Sequence, residues 1–156
     1  DILESHGYIR YEISNYAKPG HECKHNNIYW RNGSYLGLGP SAVSYTSEIR
    51  RKNVADIRLY AEMLKKGKLP IYEQETLEDE EFAGETAMLM LRRRKGVNAM
   101  EFMRITGYDA MTFFAATIER LRNSSLLIVD NSGFRVPADR FHMTDTIAAE
   151  FLETSK

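Results

Sequence analysis

The chain has 156 residues, and its 21 Lys and Arg residues nearly balance its 22 Asp and Glu residues, giving a net charge of −1. This balance excludes a global field that would attract nucleic acid or an anionic membrane. The single cysteine, Cys23, excludes an internal disulfide, and no apolar run approaches the roughly 20 residues of a membrane-spanning helix. We therefore expect a cytoplasmic protein without an integral membrane segment. Because the sequence opens at Asp1 in what looks like a helix end, we also expect a piece of a longer protein.

The first third of the chain is strand-like and irregular. In "GYIRYEIS", Ile9, Tyr11 and Ile13 alternate with polar residues, which predicts a half-buried strand. In "SYLGLGPSAVSYTS", glycines and a proline interrupt apolar residues, which predicts two short strands joined by a tight turn at Gly37 and Gly39. Glycines at such a turn allow backbone to approach another group closely.

From about Asn53 the pattern becomes helical. Ile57, Tyr60 and Leu64 recur at the spacing of one helix face. A second helix is predicted over residues 77–94, with Thr76 as its N-cap and acidic residues in its first turn.

The basic run at the end of this second predicted helix has two interpretations. Arg92, Arg93, Arg94 and Lys95 precede Gly96, and cations in a last turn complement the helix dipole. The same cluster would also suit a phosphate-binding patch. Without a partner stripe of cations, the sequence favours the helix terminus.

The remainder of the chain has the order of a winged helix. Asn98 is placed to cap a short helix, and Asp109 to cap a longer one that ends near Arg122. Two apolar runs around Gly133 predict a hairpin, and a final helix is predicted from about Ala138.

This predicted winged helix has little of the charge that DNA readers carry. Its recognition helix offers Arg120 and Arg122 only near the C-terminal end, and its hairpin offers only Arg135. The sequence therefore favours packing against another domain over binding nucleic acid.

The run "HECKHNNIYWRNG" collects rare residues. His21, Cys23 and His25 alternate, so an extended segment would point all three the same way. A closed zinc site needs four ligands, however, and the remaining histidines, His6 and His142, are isolated. The sequence shows neither a glycine elbow nor a helix N-terminus near Cys23, so it gives no sign that this thiol is an activated nucleophile. A polar loop and a haem contact, with one axial imidazole beside aromatic residues, both remain open.

Two ungapped motifs carry a resemblance to a known family. "YEISNYAKPGHECKHNNIYW" followed by "YLGLGPSAVSY" closely resembles the C-terminal part of oxygen-independent coproporphyrinogen III oxidase-like radical-SAM proteins, and within them the haem chaperone branch. The later helices and hairpin resemble that family's C-terminal domain. The resemblance implies an α+β fold: a strand-rich edge of a partial α/β barrel, followed by a mainly helical, winged-helix-like C-terminal domain.

The resemblance also implies domain boundaries and site residues. Residues 1–50 would end the barrel, 51–75 would form a connecting helix and linker, and 76–156 would form the C-terminal domain. "HNNIYW" looks like that branch's haem motif, which makes His25 the leading axial ligand of haem iron. The candidate haem contacts are His25, Asn26, Tyr29 and Trp30. The candidate contacts of S-adenosylmethionine are Gly39, Ser41, Ala42 and Val43.

The family's 4Fe–4S cluster is held by a C-x-x-x-C-x-x-C motif, which this chain lacks. The resemblance therefore implies that the parent carries the cluster and S-adenosylmethionine upstream, and that the chain alone has no catalytic residue and is inactive. Haem or porphyrin, the parent's own N-terminal barrel and haem-receiving proteins are the implied partners. A true oxidase that decarboxylates two propionates, and a free-standing winged-helix binding module, are the alternatives.

Overall fold

The computed structural model describes residues 2–152, which form two compact units. The larger unit contains the residues up to Asn32 and those from Asp79 onward, and the smaller unit is Gly33–Glu78. Both contain helices and antiparallel strands, so the predicted α+β class is confirmed. The predicted domain boundaries at residues 50 and 75 stay predictions. No helix within residues 2–152 is both long and apolar enough to cross a membrane.

The N-terminal segment of the larger unit is mostly irregular. It consists of α1 (Ile2–Ser5), β1 (Ile9–Arg10), β2 (Tyr16–Ala17) and α2 (Lys24–Tyr29). Strands β1 and β2 pair antiparallel. The strand in "GYIRYEIS" is therefore much shorter than the alternation of its residues predicted. Beyond this strand, the backbones of Glu12 and Arg93 form an isolated antiparallel β-bridge.

The C-terminal part of the larger unit is mainly helical. Its helices are α4 (Asp79–Leu91), α5 (Ala99–Thr106), α6 (Ala110–Phe113), α7 (Ala115–Asn123) and α8 (Thr144–Ala149), with a 3₁₀ helix at Ala138–Met143. Its strands are β6 (Val97–Asn98), β7 (Ile128–Asp130) and β8 (Gly133–Arg135), in the sheet order β6-β8-β7.

Aromatic side chains fill the core of this helical part. The Phe114 ring meets the Phe102 and Phe151 rings edge to face, with centroids 5.8 and 5.1 Å away. The Phe151 ring in turn stacks on that of Phe134 at 5.2 Å. All four side chains are buried. Helices from both sides of the hairpin therefore share one core with it.

Both predicted caps in this part are confirmed. The Asn98 Oδ1 accepts the Glu101 N–H at 2.9 Å, and the Asp109 Oδ1 accepts the Thr112 N–H at 2.9 Å. The helix after Asp109 is interrupted at Phe114, which separates α6 from α7.

The predicted hairpin is also confirmed, as β7 and β8. Gly133 has a φ of +142°, and a Cβ there would collide with the Val97 carbonyl oxygen. Only glycine fits this close approach of β6 and β8. The winged-helix description of this part stays a prediction.

The smaller unit is a three-stranded antiparallel sheet with one helix. The strands β3 (Val43–Thr46), β4 (Ile49–Asn53) and β5 (Ile71–Thr76) lie in that order, and α3 (Ile57–Lys65) is inserted before β5. The helix predicted from about Asn53 is confirmed. Its N-cap is Asp56, whose Oδ1 accepts the Leu59 N–H at 2.7 Å.

Two predictions about the helix ends are wrong, and a third is correct in its start but not in its helix type. Thr76 is not an N-cap, because it ends β5 opposite Ile49, and α4 begins at Asp79. The run from Arg92 to Lys95 is not a last helical turn, because α4 ends at Leu91 with no basic residue in its final turn. The segment from Ala138 starts as a 3₁₀ helix and becomes α-helical only at α8.

Candidate functional site

The residues from His21 to Asn32 include the short helix α2. The helix starts directly after Cys23, so the alternation that would point His21, Cys23 and His25 the same way does not apply. Nowhere in residues 2–152 do three or more His, Cys, Asp or Glu side chains gather in a way that could hold a metal ion.

His25 and Tyr29 lie on one side of α2. They are four residues apart, and their rings meet edge to face with centroids 4.8 Å apart at 83°. The His25 side chain is exposed, and neither ring nitrogen has a hydrogen-bond partner within the described part of the chain. An imidazole in this state is free to coordinate a metal centre or donate to a ligand.

Asn26 and Trp30 lie on a different side of α2. The Asn26 carbonyl accepts the Trp30 N–H at 3.0 Å within the helix. The guanidinium of Arg92 lies over the Trp30 ring at 5.5 Å and forms an ion pair with Asp145 at 2.7 Å. The Trp30 Nε1 is buried and has no acceptor among the described residues. The four predicted haem contacts thus lie on α2 and its C-cap, Trp30, with His25 and Tyr29 facing one way and Asn26 and Trp30 another.

The end of α2 is anchored to the helical core of the same unit. The Arg31 Nε forms an ion pair with the Glu101 Oε1 at 2.9 Å. The Asn32 Nδ2 donates to the Thr86 Oγ1 and to the Glu85 Oε2, both at 3.2 Å. These contacts fix a six-residue helix that is too short to be stable alone.

A third side of α2 lines a cavity of about 1000 Å³. Lys24, Asn27 and Ile28 face it, at the i, i+3, i+4 spacing of one helix face, and Arg31, just after the end of α2, also lines it. The described lining also contains apolar groups, among them Ile9 and Pro19.

The cavity is strongly cationic. From the N-terminal segment and α2 it receives Arg10, Lys24 and Arg31. From the turn after α4 and from β8 it receives Arg93, Arg94, Lys95 and Arg135. Glu22 is the one acidic side chain among its described lining residues. The sequence separates these cations widely, and only the fold brings them together.

Some of these cations are already paired. The buried Arg93 guanidinium binds the Glu101 carboxylate at 2.9 Å and the Gly96 carbonyl at 3.2 Å. Burial raises the pKa of Glu101, but the hydrogen bond from Arg93 and the nearby positive charges outweigh it and leave that pKa lowered. Arg135 pairs with Asp130 at 2.7 Å.

Other cations in the cavity remain unpaired. Lys24, Arg94 and Lys95 have no ion pair with any residue in the described range. Burial lowers the pKa of Lys95, and the neighbouring positive charge of Arg93 lowers it further. The lining therefore carries positive charge that the protein itself does not neutralise.

The predicted S-adenosylmethionine contacts lie in the smaller unit, in the turn before β3. The Gly39 N–H donates to the Tyr60 Oη at 3.1 Å, and the Gly39 carbonyl accepts the Asn53 Nδ2 at 2.9 Å. Ser41 has a φ of +60°, and its N–H donates to the Val54 carbonyl at 3.1 Å. The turn is thus held by its own unit.

The shape of this turn leaves room beside one glycine. A Cβ on Gly37 would collide with the Val43 backbone, so that position is closed. A Cβ on Gly39 would meet no atom within 4 Å, and Gly39 has a φ of +106°. Because the Gly39 N–H and carbonyl are occupied, this position offers an open backbone surface rather than free hydrogen-bonding groups.

Sequence reasoning missed the cationic cavity. The run from Arg92 to Lys95 contributes several of its cations, but the sequence pattern favoured a helix terminus for this run. The other cations are single residues in separate segments, so their convergence has no local signature.

Comparison with known proteins gives a consistent picture. Residues 77–139 match the family described as the HemN C-terminal domain. The heme chaperone HemW of Lactococcus lactis is 34% identical over 145 residues, which cover 93% of this chain and 36% of that protein. HemW of Bacillus subtilis is 33% identical over 125 residues, which cover 80% of this chain and 33% of that protein. The chain thus spans about a third of the length of these curated relatives.

A solved structure shares the fold. It is described as "Coproporphyrinogen III oxidase (HemN) from Escherichia coli is a Radical SAM enzyme" and superposes with a TM-score of 0.72 at 17% identity, covering 96% of this chain and 38% of that one. The resemblance drawn from the two sequence motifs is confirmed. Residues 77–139 thus match a HemN C-terminal domain, while the chain as a whole is similar to HemW heme chaperones and shares the fold of the HemN structure.

Proposed function

We propose that this chain is the C-terminal part of a protein that binds haem and passes it to an acceptor protein. The relatives that match most of it are named heme chaperones. The observation that carries the proposal is the exposed His25 imidazole, which has no hydrogen-bond partner among residues 2–152 and stands on an anchored helix.

His25 would be the axial ligand of the haem iron. A single imidazole suffices for axial ligation, and aromatic neighbours suit the flat face of a porphyrin. Tyr29 packs edge-on against the His25 ring and would restrict its rotation. Asn26 and Trp30 would also contact the haem, from the adjacent side of the helix, and the Arg92 guanidinium over the Trp30 ring would hold that ring in place.

The parent protein would also hold a 4Fe–4S cluster and S-adenosylmethionine, which together supply radical chemistry. Cys23 is the one cysteine in the sequence, so this chain cannot provide three cluster ligands. Gly39 offers an open backbone surface, as a flat cofactor contact requires. Ser41, Ala42 and Val43 would continue that contact along the same turn.

The remaining partners follow from this assignment. The parent's own N-terminal barrel would complete the site, and a haem-receiving protein would be the acceptor. We expect a cytoplasmic location and no nucleic acid partner.

Oxidative decarboxylation of coproporphyrinogen III in the parent is the alternative activity. It draws on the HemN structure, whose 17% identity supports a shared fold alone. A free-standing winged-helix binding module is the other alternative. Neither has a separate observation in its favour.

Titration of the 156-residue chain with haemin tests the proposal. We expect a shifted Soret band, and we expect His25→Ala to weaken binding at least about tenfold, or by about 1.4 kcal/mol, because the axial bond is lost. His21→Ala is the matched control, since His21 is also exposed and lies just before α2.

Two outcomes would contradict the proposal. One is an unshifted Soret band with the unsubstituted chain. The other is equal loss of binding in His21→Ala and His25→Ala, which would indicate nonspecific association through histidine.

A further inference from the structure

The cationic cavity beside α2 is not explained by an axial ligand. Iron coordination by His25 requires one imidazole, whereas the cavity gathers cations from four segments of the larger unit. Buried or clustered like charges destabilise a fold unless something offsets them. The cluster therefore points to an anionic ligand.

The chemistry of the lining narrows the class of anion. Arginine guanidinium groups bind carboxylates through two parallel hydrogen bonds. Beside Lys24 at the cavity wall lie Arg94, which has no ion pair within the described residues, and Arg31, which pairs with Glu101 through its Nε. Ile9 and Ile28, which are 44% and 39% exposed, add apolar surface to the same wall. A ligand with both a broad apolar body and separated anionic groups would use both kinds of surface.

The size of the cavity agrees with a small-molecule ligand. Its volume of about 1000 Å³ lies at the upper end of the usual range for such sites. A nucleic acid backbone would instead be expected on a convex stripe of cations without an apolar wall.

The cavity also adjoins the proposed iron ligand. Lys24 and Ile28 face the cavity, and His25 lies between them in sequence on the neighbouring side of the same short helix. A flat ligand bound through His25 would therefore have one edge near these cations.

We infer that the cationic cavity binds the paired propionate carboxylates of a tetrapyrrole. The inference rests on the proposed haem-binding function and assigns the anionic edge of the ligand to Lys24, Arg31, Arg94 and Lys95. Burial and, after it, the positive charge of Arg93 lower the pKa of Lys95, and a bound carboxylate would offset the second of these effects.

Metal-free protoporphyrin IX separates this inference from the function of His25. It carries both propionates but no iron, so axial ligation contributes nothing to its binding. Quenching of the porphyrin fluorescence would measure its binding to the 156-residue chain. We expect the diacid to bind at least about fivefold more tightly than the dimethyl ester of the same porphyrin, since esterification removes both charges. Binding of the diacid should weaken with added salt, as exposed charge pairs do.

Charge-removing variants test the assigned residues. Lys24→Gln combined with Arg94→Gln should weaken binding of the diacid at least about fivefold and leave binding of the ester unchanged. The matched control combines Lys65→Gln with Arg122→Gln, two exposed cations outside the cavity lining, and should have no effect. His25→Ala should leave binding of the metal-free diacid unchanged.

The outcomes distinguish the two proposals. Loss of haemin binding in His25→Ala with unchanged diacid binding supports both. If the diacid binds as expected but His25→Ala does not change haemin binding, the assignment of His25 as axial ligand is contradicted and the carboxylate site is not. Equal affinity for diacid and ester, equal losses in the cavity and control variants, or displacement by equimolar duplex DNA would overturn the carboxylate site.

Discussion

The two compact units of this chain differ in how much of their apolar surface they bury by themselves. In the larger unit, Phe102, Phe114 and Phe151 are completely buried in one continuous core. In the smaller unit, Ile57, Leu69 and Tyr72 are each 73% exposed, and α3 has no buried residue. Stability per residue is thus concentrated in the larger unit.

This difference shows where a substitution should act. A change in the large core should unfold that unit cooperatively, because its helices share the same aromatic side chains. A change in the smaller unit removes fewer buried contacts, and its effect should come mainly from backbone geometry. The five predictions below test this contrast.

The largest effect is expected from Phe114→Ala. The cavity it leaves touches two other buried rings, so the free energy of unfolding should fall by about 3–5 kcal/mol. Urea denaturation followed by circular dichroism would measure it. Met100→Ala is the control, since Met100 is 82% exposed and its loss should stay within about 0.5 kcal/mol. Equal losses in the two variants would disprove a core centred on Phe114.

The next effect is expected from Glu101→Gln in the same unit. It leaves the Arg93 guanidinium buried without its counter-charge, which should cost about 3 kcal/mol. Asp139→Asn is the control, because Asp139 forms a longer pair, 3.6 Å from Arg140, on the surface. If both variants are equally stable, the Arg93 pair contributes no more than a surface contact.

The same pair predicts a response to acid. The pKa of Glu101 in the folded protein is lowered below its ordinary value of 4.5, despite the opposing effect of burial, by the hydrogen bond from Arg93 and nearby cations. Its contribution to stability is therefore present above about pH 4.5 and is lost as pH falls through the folded pKa. Thermal melts below pH 4.5 should decline less steeply for Glu101→Gln than for the unsubstituted chain.

A smaller effect is expected from Gly37→Ala in the smaller unit. The new Cβ would collide with the Val43 backbone and shift the turn before β3, at a cost of about 1–3 kcal/mol. Limited proteolysis should then cut residues 33–78 faster, while the larger unit keeps its resistance. Leu38→Ala is the control, since Leu38 is 89% exposed. Parallel destabilisation of both units would contradict their separate behaviour.

The smallest effect is expected at the hairpin between β7 and β8. Hydrogen bonds from Ser132 and Arg135 lower the pKa of Asp130 to about 2. Arg135→Gln should move that pKa towards the ordinary 3.8, which an NMR titration of the carboxyl would detect. An unchanged pKa would mean that the turn at Ser132 alone holds the carboxylate. The contribution of the Asp130 carboxylate to the stability of the folded protein is present above about pH 3.8 and is lost as the pH falls towards 2.

Local signals in the sequence predicted much of the larger unit. Asn98 and Asp109 cap their helices because a capping side chain needs only its own next turn. Thr76 has the same capping chemistry, yet it pairs with Ile49 in a strand, a contact between distant residues that local preference does not encode. Strands β4 and β5 were not predicted for the same reason.

The candidate site divides in the same way. The exposed His25 follows from a contiguous motif, whose structure is one short helix. The cavity requires Arg10, Arg94 and Arg135 to lie close together. Their proximity depends on the backbone β-bridge between Glu12 and Arg93 and on the hairpin of β7 and β8. Neither contact leaves a periodic pattern in the sequence.

The lowered pKa of Lys95 has a practical consequence for chemical labelling. At neutral pH its amine holds a larger unprotonated fraction than an ordinary lysine, and acylating reagents attack only that form. Brief treatment with a succinimidyl ester should therefore modify Lys95 early, and mass spectrometry of the peptides would show it. Occupation of the cavity by a carboxylate would raise that pKa again and slow the reaction, so the labelling rate of this lysine can report ligand binding.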